Sequence, residues 1–374
     1  MELARSGHDV SIYCLLRGAQ LEREVLASGV KVRGIAQRND PSKLSRPVRV
    51  LALIFSAPLM FFSFLFRRPT IVHFFLPESY LVGAMMARAA GLSRLLMSRR
   101  SLNNYQLKRP KVAALERKLH GLMTAILGNS WRVVEQLEGE GIKRGRLGLI
   151  YNGIDIKKFD QQSDQYRDIR SSFELDENSV VITIIANLIP YKGHSDLIEA
   201  LASISNKMPA NWALLVVGRD DGIGKDLAEQ TKASGIADNV HFLGLREDVA
   251  SILRASNIGV LCSHEEGFSN AILEGMAATL PMVVTEAGGN SEAVIDGVTG
   301  NVVPISDTEA LGSAILKLAS DPHLAKEMGV AGRQRVEQQF SLSSCVDRYE
   351  ELYAGLMKGK SVADISGVGL EKQS

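Results

Sequence analysis

Two glutamates and the loop between them carry the strongest chemical signal in the 374 residues. Glu266 falls on a loop after a predicted strand, 258–262, and Glu274 comes eight residues later on the helix that follows. Eight helical residues rise about 12 Å. The two carboxylates can therefore address opposite ends of an elongated ligand, while the helix N-terminus, with Ser269 and Asn270 as N-cap residues, holds an anion between them.

Two more loops follow predicted strands and offer groups that suit phosphate. Gly288 and Gly289 come after the strand 282–285, where glycines let backbone N–H groups approach phosphate oxygens; an ordinary tight turn is the alternative. Lys192 comes after the strand 180–186, either as a cation for a diphosphate or as a solvated surface lysine. In a parallel sheet such loops share the carboxyl edge, where ligands of these folds bind.

Short aliphatic and β-branched runs alternate with longer amphipathic stretches. The runs predict strands at 10–16, 70–76, 95–98, 124–127, 180–186, 213–217, 240–243, 258–262 and 282–285, and the stretches predict helices at 194–205, 224–234, 248–255 and 270–278. Strict alternation argues for an α/β fold with parallel sheets, and two such blocks predict two doubly wound domains. Their joint is expected in the polar stretch 155–178.

The composition limits the class of protein. With 23% charged and 45% hydrophobic residues, 33 Gly and 11 Pro, the chain is neither disordered nor collagen-like. Cys14, Cys262 and Cys345 stand far apart without a CxxC pair. This excludes a disulfide scaffold, argues against a structural zinc site and favours a reducing cytoplasm.

Charge is divided unevenly along the chain. Residues 1–150 contain 24 Lys and Arg against 10 Asp and Glu, whereas the remaining residues contain 19 against 32. Either the basic half favours an anionic partner, such as a phospholipid surface or a lipid pyrophosphate, or its charges are spread over a solvated face and also meet the acidic half. Nucleic acid is not expected as a partner, because no binding motif accompanies the basic residues.

The longest apolar run, residues 50–66, has Pro58 at its centre and is followed by Arg67 and Arg68. A helix of this length reaches roughly 26 Å, short of the roughly 30 Å bilayer core, and proline kinks it. Three interpretations stay open: a membrane-spanning helix, a buried core helix, and a helix lying in the membrane interface. The last draws on the five phenylalanines of the run and on flanking arginines that suit anionic headgroups.

In order and spacing, these segments resemble the GT4-type retaining glycosyltransferases, which have the GT-B fold of two doubly wound, Rossmann-like domains facing a cleft. The carboxyl-terminal half carries the specific part of the match, and the amino-terminal half a looser one. The matching motifs are Gly7-His8, Val72-His73, Gly128-Asn129-Ser130, residues 150–155, Lys192-Gly193-His194, residues 240–244, Glu266-x7-Glu274, residues 287–292 and residues 297–300.

The resemblance implies a donor site in the carboxyl-terminal half. Glu266 would lie beside the transferred sugar, Glu274 would hydrogen-bond the nucleotide ribose, and Lys192 would neutralise the leaving diphosphate. No Asp-x-Asp motif stands at a strand end, so we expect neither a metal ion nor another cofactor. The other donor-binding positions implied are Asn187, Gly244, Gly267, Phe268, Ser269, Gly288 and Gly289.

On the acceptor side the resemblance implies His73, Arg99 and Arg100. His73 is either a packed, hydrogen-bonded group or a catalyst. Arg99 and Arg100 stand at a strand end where the family often has His, and Arg100 is either an anion clamp or a surface arginine. A second departure is Asn187, which stands where the family usually has Arg and removes one cation from the diphosphate site.

The resemblance also implies a domain arrangement. The family opens with a strand and a glycine-rich loop ahead of the Gly7-His8 turn, and this chain is expected to lack them. An acceptor-side domain, truncated at its start, is expected over residues 1–160 and a nucleotide-sugar-binding domain over 161–340. A helix at 341–357 is expected to cross back to the first domain, and residues 358–374 to form a frayed tail.

The activity implied is that of a hexosyltransferase. It is retaining and metal-independent, and it moves a sugar from a nucleotide sugar, most often a UDP-sugar, to a glycan or lipid-linked acceptor in surface polysaccharide or glycolipid synthesis. The alternatives are a truncated chain that binds nucleotide without transferase activity, and another GT-B activity such as nucleotide-sugar epimerisation. We expect a cytoplasmic protein with peripheral contact at the inner face of an anionic membrane.

Overall fold

Every strand pairing in the described part of the chain is parallel. The computed structural model describes residues 1–16, 21–35, 46–107, 109–160, 165–209 and 211–370. The chain divides into two units. The amino-terminal unit comprises Met1–Asn129, Val133–Ile150 and Val346–Ser374, and the carboxyl-terminal unit comprises Ser130–Arg132 and Tyr151–Cys345.

Strands and helices alternate along both units. The first half of the chain contains α1 (Glu2–Arg5), β1 (Ser11–Leu16), α2 (Leu21–Ala27), β2 (Lys31–Ile35), α3 (Arg46–Arg67), β3 (Val72–Phe75), α4 (Pro77–Ala89), β4 (Leu95–Arg99), α5 (Asn104–Leu107), α6 (Pro110–His120), β5 (Ala125–Gly128), α7 (Trp131–Gly139) and β6 (Leu147–Leu149). The second half contains α8 (Lys157–Asp160), α9 (Gln165–Ser172), β7 (Val180–Ile185), α10 (His194–Ile204), β8 (Trp212–Val217), α11 (Gly224–Ala233), β9 (Val240–Gly244), α12 (Val249–Ala255), β10 (Ile258–Leu261), α13 (Asn270–Ala277), β11 (Met282–Thr285), α14 (Asn290–Ala293), β12 (Gly300–Val303), α15 (Thr308–Ser320), α16 (Pro322–Gln339) and α17 (Leu342–Met357).

The amino-terminal unit contains two parallel sheets. One pairs β1 with β2, and the other has the strand order β3-β4-β5-β6. β4 and β5 are buried over their whole length, as expected for parallel strands covered on both faces. α3 packs against α4 and against both strands of the smaller sheet.

The carboxyl-terminal unit contains one six-stranded sheet with the order β12-β11-β10-β7-β8-β9. Its first strand in the chain, β7, lies in the interior of the sheet. β8 and β9 extend the sheet on one side, and β10, β11 and β12 extend it on the other. The strand order therefore reverses between β7 and β10, and a ligand crevice is expected outside the carboxyl ends of these two strands.

The predicted α/β alternation is confirmed. All nine predicted strands and all four predicted helices are present, with ends that differ by at most two residues. Three short strands, β2, β6 and β12, were not predicted from the sequence. The first contains alternating basic residues and the other two contain glycine, so none forms a long apolar run.

The apolar run 50–66 lies within α3, a helix of 22 residues that includes Pro58. One side of the described part of this helix is buried, and its residues there are Ser56, Met60 and Phe64. Among the helices that the structure describes, none is long and apolar enough to cross a membrane.

The segment 358–370 is packed, so the expectation of a frayed tail is wrong for these residues. Val362, Ile365 and Val368 are buried, and the Leu149 N–H donates to the Val368 carbonyl at 3.0 Å. Apolar burial and this backbone hydrogen bond hold the segment beside β6. Residues 371–374 lie outside the described residues.

The boundary between the units falls at Ile150 and Tyr151, ahead of the stretch 155–178 that the sequence suggested as the joint. Residues 161–164 of that stretch lie outside the described residues. α17 begins within the carboxyl-terminal unit, and the chain from Val346 onward belongs to the amino-terminal unit.

Candidate functional site

Lys192 and Glu266 meet at the carboxyl ends of β7 and β10. Lys192 Nζ donates to Glu266 Oε1 at 2.5 Å, and Ser263 Oγ donates to the same oxygen at 2.9 Å. The side chains are 18% and 11% exposed, respectively. The sheet edge thus presents a cation and a carboxylate, both largely withdrawn from water, at the point where the strand order reverses.

The loop after β7 is fastened to the loop after β10, which fixes Lys192. A short 3₁₀ turn, Pro190–Lys192, ends at Gly193, whose φ is +74°. A Cβ at Gly193 would overlap the Cys262 carbonyl oxygen, so this close approach requires glycine. The His264 N–H also donates to the Tyr191 carbonyl at 2.7 Å.

The glycine pair after β11 supports the Glu266 loop. Gly288 has φ +55°, and a Cβ there would overlap the Glu266 carbonyl oxygen. The Gly289 N–H donates to the Gly267 carbonyl at 2.9 Å. The prediction that glycine N–H groups face phosphate is therefore wrong for Gly289, whose N–H binds the neighbouring loop because the two backbones run in contact.

The residues between the two glutamates begin α13. Ser269 is the N-cap in extended backbone geometry, without a side-chain capping bond. Phe268 is buried, with its ring centroid 4.9 Å from that of Tyr151. Asn152 Nδ2 donates to the Phe268 carbonyl at 3.0 Å. These contacts set the entry of the chain into the helix that carries Glu274.

Glu274 lies on the second turn of α13 and is half-buried. Burial raises the pKa of this carboxyl, and the charge of Lys158 acts in the opposite direction. A carboxyl in such surroundings gains from hydrogen bonds that stabilise its charged form, such as those a sugar hydroxyl donates.

Asn187 follows β7 and Gly244 ends β9, the two strands that lie on either side of β8 in the sheet. Asn187 Oδ1 accepts a hydrogen bond from the Arg219 N–H at 3.2 Å, which ties the loop after β7 to the loop after β8. Gly244, with φ +64°, ends β9, and its carbonyl accepts from the Gly218 N–H at 2.9 Å. All ten predicted catalytic and donor-binding residues thus lie in the carboxyl-terminal unit, at or after the ends of strands of one sheet or on α13.

His73 belongs to the amino-terminal unit and is packed. Its Nδ1 lies 2.8 Å from the Tyr353 hydroxyl, and its Nε2 lies 2.8 Å from Ser98 Oγ. Burial, with the charge of Arg100, lowers the pKa of His73 to about 3. The imidazole is therefore neutral near pH 7, and both ring nitrogens have partners within the unit.

Arg99 is held by buried carboxylates. Its guanidinium donates to both carboxylate oxygens of Glu140, at 2.5 and 3.2 Å, and is 5% exposed. Burial alone would raise the pKa of Glu140, but hydrogen bonds from His120 and Arg99 outweigh it and hold that pKa at about 2. Arg99 is thus a structural ion-pair residue, whereas the neighbouring Arg100 is exposed. Both line a small cleft of about 90 Å³ at the ends of β3 and β4.

Sequence reasoning missed the partners of these groups. Ser263 lies three residues before Glu266, and at this spacing a loop after a strand can bring the two side chains within hydrogen-bond distance. Glu140 is 41 residues away from Arg99 in the sequence, and His120 is 20 residues away from Glu140. Neither residue falls in a segment with a recognisable chemical motif. In the described ranges, no three His, Cys, Asp or Glu side chains stand close enough to hold a metal ion.

Two family models match this chain. Residues 1–158 match the model described as Glycosyltransferase Family 4, and residues 165–335 match the model described as Glycosyl transferases group 1. The two matches lie on either side of residues 159–164 and together include most of the chain.

Curated relatives are similar over part of their length. The chain is 29% identical over 212 residues to N-acetyl-alpha-D-glucosaminyl L-malate synthase of Bacillus anthracis, covering 57% of this chain and 54% of that protein. It is 27% identical over 217 residues to UDP-Gal:alpha-D-GlcNAc-diphosphoundecaprenol alpha-1,3-galactosyltransferase of Escherichia coli, covering 58% and 56%. The chain therefore spans about half the length of these curated relatives.

A solved structure shares the fold over nearly the whole chain. The crystal structure of Anabaena Alr3699/HepE in complex with UDP has a TM-score of 0.78 at 20% identity and covers 92% of each chain. That likeness shows the fold, with its Rossmann-like sheets. With family models matched on both halves, the chain belongs to the GT4-type glycosyltransferases with the GT-B fold.

Proposed function

We propose that this chain transfers a sugar from a nucleotide sugar to a glycan or lipid-linked acceptor of a surface polysaccharide or glycolipid. The observation that carries the proposal is the Lys192–Glu266 pair at the switch point between β7 and β10. Ligands of doubly wound folds bind at this edge. A diphosphate needs a cation there, and a sugar needs a hydrogen-bond acceptor.

Lys192 neutralises the leaving diphosphate in this proposal. Its ammonium already holds one anion, the Glu266 carboxylate, at 2.5 Å. A diphosphate carries more charge than a carboxylate and competes for the ammonium when the donor binds. Charge-assisted hydrogen bonds of a largely buried cation are stronger than those of a solvated one. We therefore propose that Lys192 stabilises the leaving diphosphate and that no metal ion is needed for this.

Glu266 accepts a hydrogen bond from the transferred sugar. Because Lys192 and Ser263 both engage its Oε1 atom, this carboxylate is a weak nucleophile, and we favour front-face attack over a double displacement through Glu266. The bond between the anomeric carbon and the diphosphate breaks, the acceptor oxygen bonds to that carbon on the same face, and its proton passes to the leaving diphosphate. The anomeric configuration is retained.

The similar proteins support the choice of substrates. The structure that shares the fold was solved with UDP, and the Escherichia coli relative is named for a UDP-sugar donor and a diphosphoundecaprenol-linked acceptor. We therefore propose a UDP-sugar as donor and a lipid-linked glycan as the first acceptor to test.

A nucleotide-binding chain without transferase activity is the second candidate. Asn187 favours it, because a neutral amide stands where the family usually has a cation, and its oxygen is engaged by the Arg219 N–H. A weaker hold on the diphosphate would slow transfer more than it would weaken binding of the nucleoside, because only the transition state develops the full leaving-group charge.

Transfer of labelled sugar from UDP-sugars to a membrane extract, with chelator present, separates the two candidates. We expect labelled product from the wild type and a loss of about 10²-fold or more in Glu266→Gln. Glu265→Gln, which changes the neighbouring carboxylate, is the matched control and keeps the wild-type rate. Nucleotide binding without any transfer would favour the second candidate and reject the first.

A further inference from the structure

α3 presents an apolar face to solvent. The exposed fractions of its outward residues lie between 51% and 80% for Ile54, Phe55, Leu59, Phe62 and Phe66. A surface helix normally turns polar residues outward and apolar residues toward the core. This helix has apolar residues on both sides.

The exposed residues form one continuous stripe. Phe55, Leu59, Phe62 and Phe66 follow one another at intervals of four, three and four residues, which places them on one face of the helix. The rings of Phe62 and Phe66 stack, with centroids 6.2 Å apart. Across residues 54–66, each exposed position is apolar. We call this face the phenylalanine stripe.

The charges around the stripe have one sign. Residues 41–77 contain no Asp or Glu and five basic residues, which are Lys43, Arg46, Arg49, Arg67 and Arg68. Arg67 and Arg68 are exposed at the carboxyl end of the helix. An apolar face flanked by Lys and Arg matches a surface that is negative at its boundary and apolar beneath it.

A second copy of the chain matches this face poorly. In a two-fold pairing each stripe would meet its own image, so Arg67 and Arg68 of each chain would meet a stripe that offers no acidic residue. An anionic bilayer instead offers phosphate groups to the arginines and acyl chains to the phenylalanines. Charge complementarity therefore favours lipid over self-association.

We propose that the phenylalanine stripe, with Arg67 and Arg68, docks this chain on an anionic phospholipid surface, with α3 lying in the plane of the interface. The stripe enters the boundary between headgroups and acyl chains, while the buried side of the helix stays on the amino-terminal unit. The proposal is independent of the transfer reaction, since none of its residues belongs to the candidate donor site.

Flotation of the purified full chain with vesicles tests the proposal. We expect the chain to float with vesicles of phosphatidylcholine and phosphatidylglycerol, to float weakly with phosphatidylcholine alone, and to lose part of its binding at high salt. Phe62→Ser/Phe66→Ser should weaken binding to the anionic vesicles by about tenfold or more. Arg67→Glu/Arg68→Glu should abolish the preference for anionic lipid.

Two control variants distinguish docking through the stripe from non-specific adsorption to vesicles and from misfolding. Leu107→Ser removes an 83% exposed leucine elsewhere in the same unit, and Lys326→Glu reverses an exposed charge on α16. Both should float like the wild type, and all variants should keep its thermal midpoint. Absence of flotation with anionic vesicles, or equal flotation of the Phe62→Ser/Phe66→Ser variant, would overturn the proposal. So would a wild-type dimer that this variant disperses without any vesicle binding.

Discussion

In the proposed reaction, the ammonium of Lys192 is the group that neutralises the leaving diphosphate. Lys192→Met removes the positive charge and leaves the largely buried Glu266 carboxylate without its ion-pair partner. We expect turnover to fall by roughly 10²- to 10³-fold, as for the loss of one preorganised electrostatic donor, and UDP affinity to weaken. Steady-state transfer and calorimetry measure the two effects. Lys207→Met, at an exposed lysine of the same unit, is the control; a Lys192→Met chain as active as that control would refute the assignment.

The lowered pKa values of two histidines predict that the folded protein loses stability in mild acid. Burial lowers the pKa of His73 to about 3 and that of His194 to about 4. The unfolded chain binds these protons near pH 6.5, whereas the folded chain does not, so the free energy of unfolding falls as the pH drops below about 6.5. Burial of Glu274 raises its pKa and acts in the opposite direction.

Comparison of variants isolates the histidine contribution. We expect the denaturant midpoint of the wild type to fall between pH 7 and pH 5, and to fall less in His73→Asn. His323→Asn, at an exposed position on α16, is the matched control and should lose as much as the wild type. An equal acid-induced loss in His73→Asn and the wild type would show that His73 does not contribute.

The types of residue at strand ends can be read from the sequence, but their partners cannot. Lys192 and Glu266 are 74 residues apart, and each loop alone suggests only a group that suits an anion or a sugar. Arg99 shows the limit most clearly. Its position at a strand end suggests a ligand contact, yet the buried carboxylate of Glu140, 41 residues away, holds it within the fold.

Among the elements, the loop after β11 sets the position of the Glu266 loop through Gly288. Gly288→Ala adds a methyl that overlaps the Glu266 carbonyl at a backbone φ of +55°. The strain of such a conformation is about 1–3 kcal/mol, so we expect a lower thermal midpoint and a loss of transfer activity together.

Gly139→Ala provides the matched control for this glycine. A Cβ at Gly139 has no atom within 4 Å, and its backbone is not in the left-handed region. We expect the free energy of unfolding to be unchanged or slightly raised, because alanine restricts the unfolded chain. A Gly288→Ala protein as stable and active as Gly139→Ala would show that the close approach of the two loops is not needed.

Buried parallel strands are the elements that the sequence specifies best. β7 and β8 are buried over nearly their whole length; β8 is wholly apolar, and Thr183 is the one polar residue of β7. β2 contains Lys31 and Arg33 at alternate positions, and β12 begins with Gly300 and Asn301, so neither stands out from a loop. The tail 358–370 was missed for a related reason, since its apolar residues are too few to show a period.

At the scale of the whole molecule, two blocks of alternation are enough to predict two α/β units. The boundary at Ile150 is harder to predict, because the polar stretch that follows it also contains the short helices α8 and α9. The return of the chain to the amino-terminal unit after Cys345 follows from packing of the last segment and not from any local pattern.

Thermal unfolding of the complete chain with a panel of nucleotides, in the presence of chelator, most directly tests whether the edge of the six-stranded sheet is a nucleotide-sugar site. A ligand at 100 times its dissociation constant stabilises the folded state by about 2.7 kcal/mol. We predict a rise in the midpoint with UDP that survives chelation and is lost in Glu274→Ala. No rise with any nucleotide, or a rise that Glu274→Ala and Lys192→Met both retain, would contradict a donor site at this edge.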